Sequence, residues 1–181
     1  GLTTLSAEAA EGLAQHKGDL TLNGLTTLSD KAVEALAQKQ NGSLLLGGLK
    51  ELTSAQAIAL SKYQGDLILL GLTAVSRLHA IILMQHKGQF LSLGGLTTLS
   101  AETAKALAQH KGQMLDLGGL TTLTDEAAKA LAQHKGEILS LNGLTALSDE
   151  AAKALAQHNS NLSLGGLTTL SAETAKALAQ H

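Results

Sequence analysis

The chain has 181 residues with 19 Gly and no Pro, Cys or Trp, and its 13 Lys+Arg against 15 Asp+Glu leave a formal charge of −2. That balance excludes a dedicated phosphate-backbone binder, a single Phe and a single Tyr exclude stacking platforms for single-stranded nucleic acid, and the lack of Cys excludes a disulfide scaffold, thiol catalysis and cysteine zinc sites. At 44% hydrophobic residues there is material for one continuous core, yet the longest apolar runs, such as Leu67 to Leu72, fall far short of the roughly 20 residues of a membrane span.

Self-similarity organises everything else. A Gly-Leu dipeptide opens a unit at Gly1, Gly24, Gly48, Gly71, Gly95, Gly119, Gly143 and Gly166, a period of 23 or 24 residues, and the eighth unit stops at His181. No unrelated segment interrupts the series, so residues 1–181 read as one domain without a linker. No signal peptide is visible, and a first residue of Gly in place of Met reads as a processed chain or an excised piece.

Within each unit the first element is a loop, Gly-Leu-Thr-x-Leu, followed by Ser or Thr and an alanine-rich stretch such as Asp149 to His158. Ser148 is placed to cap that helix, and Asp149 and Glu150 put negative charge where the first turn favours it. Ala151 stands where a capping box needs Glu or Gln. Leu147, Ala151 or Ala152, and Leu155 recur at helical spacing and define a buried stripe. Lys and His in the last turn, followed by Gly as at Gly112 and Gly136, read as helix-stop features. The second element is a short strand carrying Leu-x-Leu, from Leu20/Leu22 to Leu162/Leu164, whose alternation sends both leucines to one face.

A strand of three to five residues and a helix of about three turns cannot bury their apolar faces alone. Stacked side by side, the strands form a parallel sheet and the helices a second layer, giving seven strands and eight helices in an α/β solenoid. Strands about 4.8 Å apart beside helices needing roughly 8–10 Å predict a stack that curves with its strands inside.

The Leu-x-Leu strand, the further Leu two positions past it and the 23- or 24-residue period resemble the leucine-rich-repeat family over the whole chain. The helix-bearing tail, Leu-Ser-Asp-Glu-Ala-Ala-x-Ala-Leu, is similar to the bacterial and cysteine-containing subclasses without their cysteine. The resemblance implies a right-handed coil with the sheet on the concave side and the helices on the convex side, and a protein-binding or scaffolding role. One departure stands out. The family's loop Asn is replaced by Leu25, Leu49, Leu72, Leu96, Leu120, Leu144 and Leu167, and the threonines that follow, among them Thr73, Thr97, Thr121 and Thr168, are expected to supply hydroxyls to the loop ladder instead.

Histidines recur at one position, His16, His86, His110, His134, His158 and His181, with Lys39 and Tyr63 interrupting. A metal-binding or pH-responsive stripe is one reading; the favoured one is a helix ending at which a partly positive side chain meets exposed carbonyls. No catalytic residues, metal ligands or cofactor site are assigned, because Ser, His and Asp each sit at a repeated position with a repeated structural task. His79, off the ladder, has no evident carboxylate partner in its own unit.

The informative positions are those at which the units disagree. Leu45, Ile68 and Leu70 form an apolar patch on the strand side of units two and three. Phe90, Met114 and Ile138, each beside a one-residue insertion, are expected to turn inward and seal the helix–strand joint. On the helix side, Ile58 and Ile81 replace Glu or Lys, and Leu78, Ile82 and Met84 replace smaller or charged residues. An exposed apolar cluster of this kind marks a contact surface. The expected function is a non-enzymatic scaffold that binds a protein partner or itself through Leu45, Ile58, Ile68, Leu70, Leu78, Ile81, Ile82 and Met84. The alternative is a self-assembling fibre or surface-layer protein whose ends, with Leu5, Leu13, Leu170 and Leu178, make the contacts.

Overall fold

In the computed structural model, which describes residues 2–179, helices and strands alternate without exception. The order is α1 (Ala7–Ala14), β1 (Leu20–Thr21), α2 (Asp30–Leu36), β2 (Leu44–Leu45), α3 (Ser54–Ser61), β3 (Leu67–Ile68), α4 (Arg77–Leu83), β4 (Phe90–Ser92), α5 (Ala101–Leu107), β5 (Met114–Asp116), α6 (Asp125–Leu131), β6 (Ile138–Ser140), α7 (Asp149–Leu155), β7 (Asn161–Ser163) and α8 (Ala172–Leu178). The seven strands form one parallel sheet in sequence order, each packed beside the next unit's strand. Helices likewise pack against the helices of adjoining units. The chain is an α/β repeat solenoid.

Register follows from the leucines. Leu67 pairs with Leu91, Leu91 with Leu115 and Leu115 with Leu139, so equivalent side chains stand side by side along the stack. From Leu44 to Leu141 both leucines of each Leu-x-Leu are fully buried, and with the loop leucines Leu25, Leu96, Leu120 and Leu144 they form one continuous cluster with the helix residues Leu36, Leu60, Leu107 and Leu131. No unit closes this core alone. Strands of two or three residues and helices of seven or eight are shorter than the sequence predicts, because lateral stacking, and not element length, supplies the burial.

The caps are as expected and also reach sideways. Every helix starts after a Ser or Thr whose hydroxyl accepts from the third backbone N–H, as in Ser148 from Ala151 at 2.9 Å. Where the first helical residue is Asp, its carboxylate accepts from the next unit's cap: Thr53 Oγ1 donates to Asp30 at 2.7 Å, Ser148 to Asp125 and Ser171 to Asp149. One true capping box is present, at Thr53 and Gln56, and the Gln56 amide also donates to the Leu28 carbonyl of the preceding unit at 2.7 Å.

Three expectations are corrected. First, the loop ladder runs on main-chain groups. Thr97 N–H donates to Thr73 O and Thr121 N–H to Thr97 O, both at 3.4 Å, whereas Thr168 also uses its hydroxyl, on Thr145 O at 3.2 Å. Second, glycines after the helices are not left-handed stops. Among the described residues only Gly42 has a positive φ, +78°, and the last helical turns close in right-handed geometry. The unit-opening glycines answer to close approach instead: a Cβ at Gly119 would collide with the main-chain oxygen of Gly94 and lie 2.9 Å from that of Leu96. Third, Phe90, Met114 and Ile138 do not turn inward. Each opens a strand, stays half-exposed and pairs with its neighbour across the sheet. Strand alternation sets them on the face opposite Leu91, Leu115 and Leu139. Strand length does not track the inserted residue: β7 has three residues in a 23-residue unit and β2 two in a 24-residue unit.

Candidate helix-face contact site and a buried histidine column

The tenth residue after each unit-opening glycine projects from the helix side. Along the stack it reads Glu11, Glu34, Ile58, Ile81, Lys105, Lys129, Lys153 and Lys176, all exposed. The row is acidic in the first two units, apolar in the next two and basic in the last four. Helical spacing explains the exposure: within α4, Ala80 and Leu83 are fully buried, and Ile81 falls on the opposite side, 38% exposed. Ile58 is 45% exposed on α3 and Leu78 is 57% exposed one turn before Ile81.

Shallow grooves flank this apolar pair. One of about 250 Å³ lies between α2 and α3, lined by Asp30, Glu34, Ile58 and Lys62. Another of about 350 Å³ lies between α4 and α5, lined by Arg77, Ile81, Glu102 and Lys105. They occupy equivalent places on either side of the α3–α4 seam and differ in charge, the first carrying more acid and the second more base.

The remaining candidate residues divide. Ile82 packs against the core and belongs to the inner side of α4. Met84 ends α4 half-buried, beside a groove of about 480 Å³ with Gln85, His86, Lys87 and Gln89. Leu45 and Ile68 are cross-strand partners on the sheet, both half-buried, and Leu70 just past β3 is 47% exposed. The sheet separates these strand-side residues from Ile58, Leu78 and Ile81, so the eight do not form one surface. Phe90, Met114 and Ile138 extend the strand-side stripe, and the inserted residue in their units is the sequence signal that marks them. Of the terminal leucines, Leu170 is 54% exposed while Leu5 and Leu13 pack partly on the core.

The histidine position is an interior column. His86, His110, His134 and His158 are each no more than 3% exposed, and their rings stack with centroids 5.9, 6.3 and 6.0 Å apart. Tyr63 continues the column 6.4 Å from His86 and donates to Gly42 O at 2.6 Å, while His86 Nε2 meets Gly65 O at 2.9 Å. The ring nitrogens of His110 and His134 have no hydrogen-bond partner among the described residues. Burial pushes the pKa of His86, His110 and His134 down to about 4, with a smaller share from His86 acting on His110 and from His110 and His158 acting on His134. The rings are therefore neutral near pH 7, which overturns the reading of partly positive helix endings. His16 is exposed at the first unit, and His181 lies outside the described residues. Lys39, at the same position in unit two, is 1% exposed, and burial lowers its pKa against the opposing pull of Asp19.

The rings stack nearly parallel, so their in-plane nitrogen lone pairs do not converge on one ion, and no group of three or more His, Cys, Asp or Glu able to hold a metal occurs among the described residues. His79, on α4, finds its partner in the preceding unit, Ser54 Oγ at 3.3 Å. No helix among the described residues is long and apolar enough to cross a membrane. In comparisons with known proteins, no family model and no curated protein matches the chain.

Proposed function

We propose that the chain is a non-enzymatic leucine-rich-repeat scaffold that binds protein through the helix face of units three and four. The observation that carries this reading is the interruption of a charged row by Ile58 and Ile81, with Leu78 beside them, all exposed on a surface whose equivalent positions elsewhere hold Glu or Lys. Exposed large apolar side chains on adjoining helices lower stability little if removed, and gain their value when a partner covers them. The Ser or Thr before each helix is engaged as its cap, and His86, His110, His134 and His158 are sequestered in the buried column, which leaves the contact between His79 and Ser54 as the exposed serine–histidine pair. Leu-x-Leu strands in sequence-ordered parallel pairing, each followed by a loop and a helix, support the family resemblance.

The test is the double substitution Ile58→Lys and Ile81→Lys. It is expected to leave circular dichroism and the urea midpoint unchanged, because both side chains already face solvent, while abolishing association measured by sedimentation. Association that persists unchanged refutes this face as the contact.

A further inference from the structure

The row of charges on the helix side has a symmetry that selects a partner. We propose that two copies of this chain form an antiparallel homodimer, helix face to helix face, about a twofold axis lying along the seam between α3 and α4. The inference rests on reading the Ile58 and Ile81 face as a contact surface, and it names the occupant of that face.

Such an axis reverses the stacking direction and keeps the helix direction, so unit three of one copy meets unit four of the other, and unit two meets unit five. Ile58 then faces Ile81, and Leu78 faces Ala55, so the apolar pair covers itself. In the next units outward, Glu34 of one copy faces Lys105 of the other. Three positions earlier in the unit, Lys31 faces Glu102. Two rows with different sign patterns thus both become complementary under one operation, which a single acidic-to-basic gradient would not require. The flanking grooves obey the same axis: the α2–α3 groove with Asp30 and Glu34 is set against the α4–α5 groove with Arg77 and Lys105. Farther out, Glu11 faces Lys129 favourably and Glu8 faces Glu126 unfavourably, which confines the favourable contact to the four central units. An isologous contact of this kind closes at two copies.

The contact is small. Helices of seven or eight residues are roughly 11 Å long and neighbours sit about 9 Å apart, so even four helices meeting as a flat layer offer at most about 400 Å² per copy, below the usual size for a tight complex. The dimer is accordingly weak and concentration-dependent, and its charge pairs add orientation more than affinity.

Sedimentation equilibrium of the full chain from about 10 μM to 1 mM, at low and moderate salt, reads the association constant. The expected result is a monomer–dimer equilibrium that weakens with salt. Glu34→Lys alone and Lys105→Glu alone each lower the constant severalfold, and the two combined in one chain restore it. A combined variant no tighter than the single ones overturns the antiparallel arrangement, and so do species larger than a dimer. A monomer throughout the range overturns the dimer while leaving the contact face open to another protein. A dimer that survives Ile58→Lys with Ile81→Lys overturns the contact face itself.

Discussion

Units two to four and units five to seven share one framework and fill it differently. In both regions the strand leucines pair in register, Ser or Thr caps each helix, and a glycine admits the carbonyl of the previous unit. In units two and three the ladder position holds Lys39 and Tyr63; in units four to seven it holds stacked imidazoles. The exposed row is acidic or apolar in the first region and uniformly Lys in the second. Stacking therefore constrains the leucines, caps and glycines tightly, while it asks only for a buried ring or long chain at the ladder and asks nothing of the outer row. Where the molecule is free to vary, variation concentrates in units two to four.

Acid is the strongest way to pull the two regions apart. An unfolded histidine titrates near 6.5, whereas His86, His110 and His134 titrate at about 4 in the fold. Between those values the unfolded state binds more protons, so the column's contribution is complete above pH 6.5 and is lost progressively as pH falls toward 4. The grooves beside His86 and His110 are lined by Lys87, Lys111 and Lys135 and by no carboxylate, so only the Gly65 carbonyl at His86 works against the burial that keeps these rings neutral. Urea midpoints measured at pH 7, 5.5 and 4.5 should fall steeply, with units four to six, which carry these three rings, unfolding first. His110→Leu should flatten the slope; an unchanged slope would show that the column does not govern it.

Truncating a strand leucine is the next largest effect, and here the two regions should behave alike. Leu67 and Leu139 are both fully buried at equivalent register positions. Leu67→Ala and Leu139→Ala should each cost about 3 kcal/mol by chemical denaturation, within the range for buried leucines. A gap well beyond 1 kcal/mol between them would mean that one region carries the solenoid and the other leans on it.

The architecture was legible because it is written eight times. Leu-x-Leu, the cap and the period locate every strand and helix, though each is shorter than the pattern suggests, and even Ile58, Leu78 and Ile81 are recognisable as outliers against the charged row. What one sequence hides is the direction of side chains at joints between units. The histidines follow the helix end, a place that favours positive charge, and only the stack reveals that the neighbouring unit buries them. Phe90, Met114 and Ile138 looked free to seal a joint because an insertion adds slack; each instead takes the first position of a paired strand, which satisfies main-chain hydrogen bonds such as Met114 N–H to Gln89 O at 2.9 Å. Ile82 reads as part of the surface cluster by composition, yet it lies one residue round the helix from Ile81 and meets the core.

The caps provide the finest comparison between the regions. At α7 the hydroxyl of Ser148 accepts from Ala151 N–H, and Ala151 can return nothing. At α3 the Thr53 hydroxyl accepts from Gln56 N–H at 3.1 Å, the Gln56 carbonyl oxygen accepts from Thr53 N–H at 3.1 Å, and the Gln56 amide reaches Leu28 O in the preceding unit. Gln56 is 5% exposed, so its removal strands a backbone N–H and a carbonyl with little access to water. Gln56→Ala should therefore cost about 1 kcal/mol in urea denaturation, close to what Ser148→Ala costs at α7. If Gln56→Ala were silent, the reciprocal cap and the tie to Leu28 would add nothing to what the lone hydroxyl of α7 achieves, and the regions would be equivalent at their helix starts.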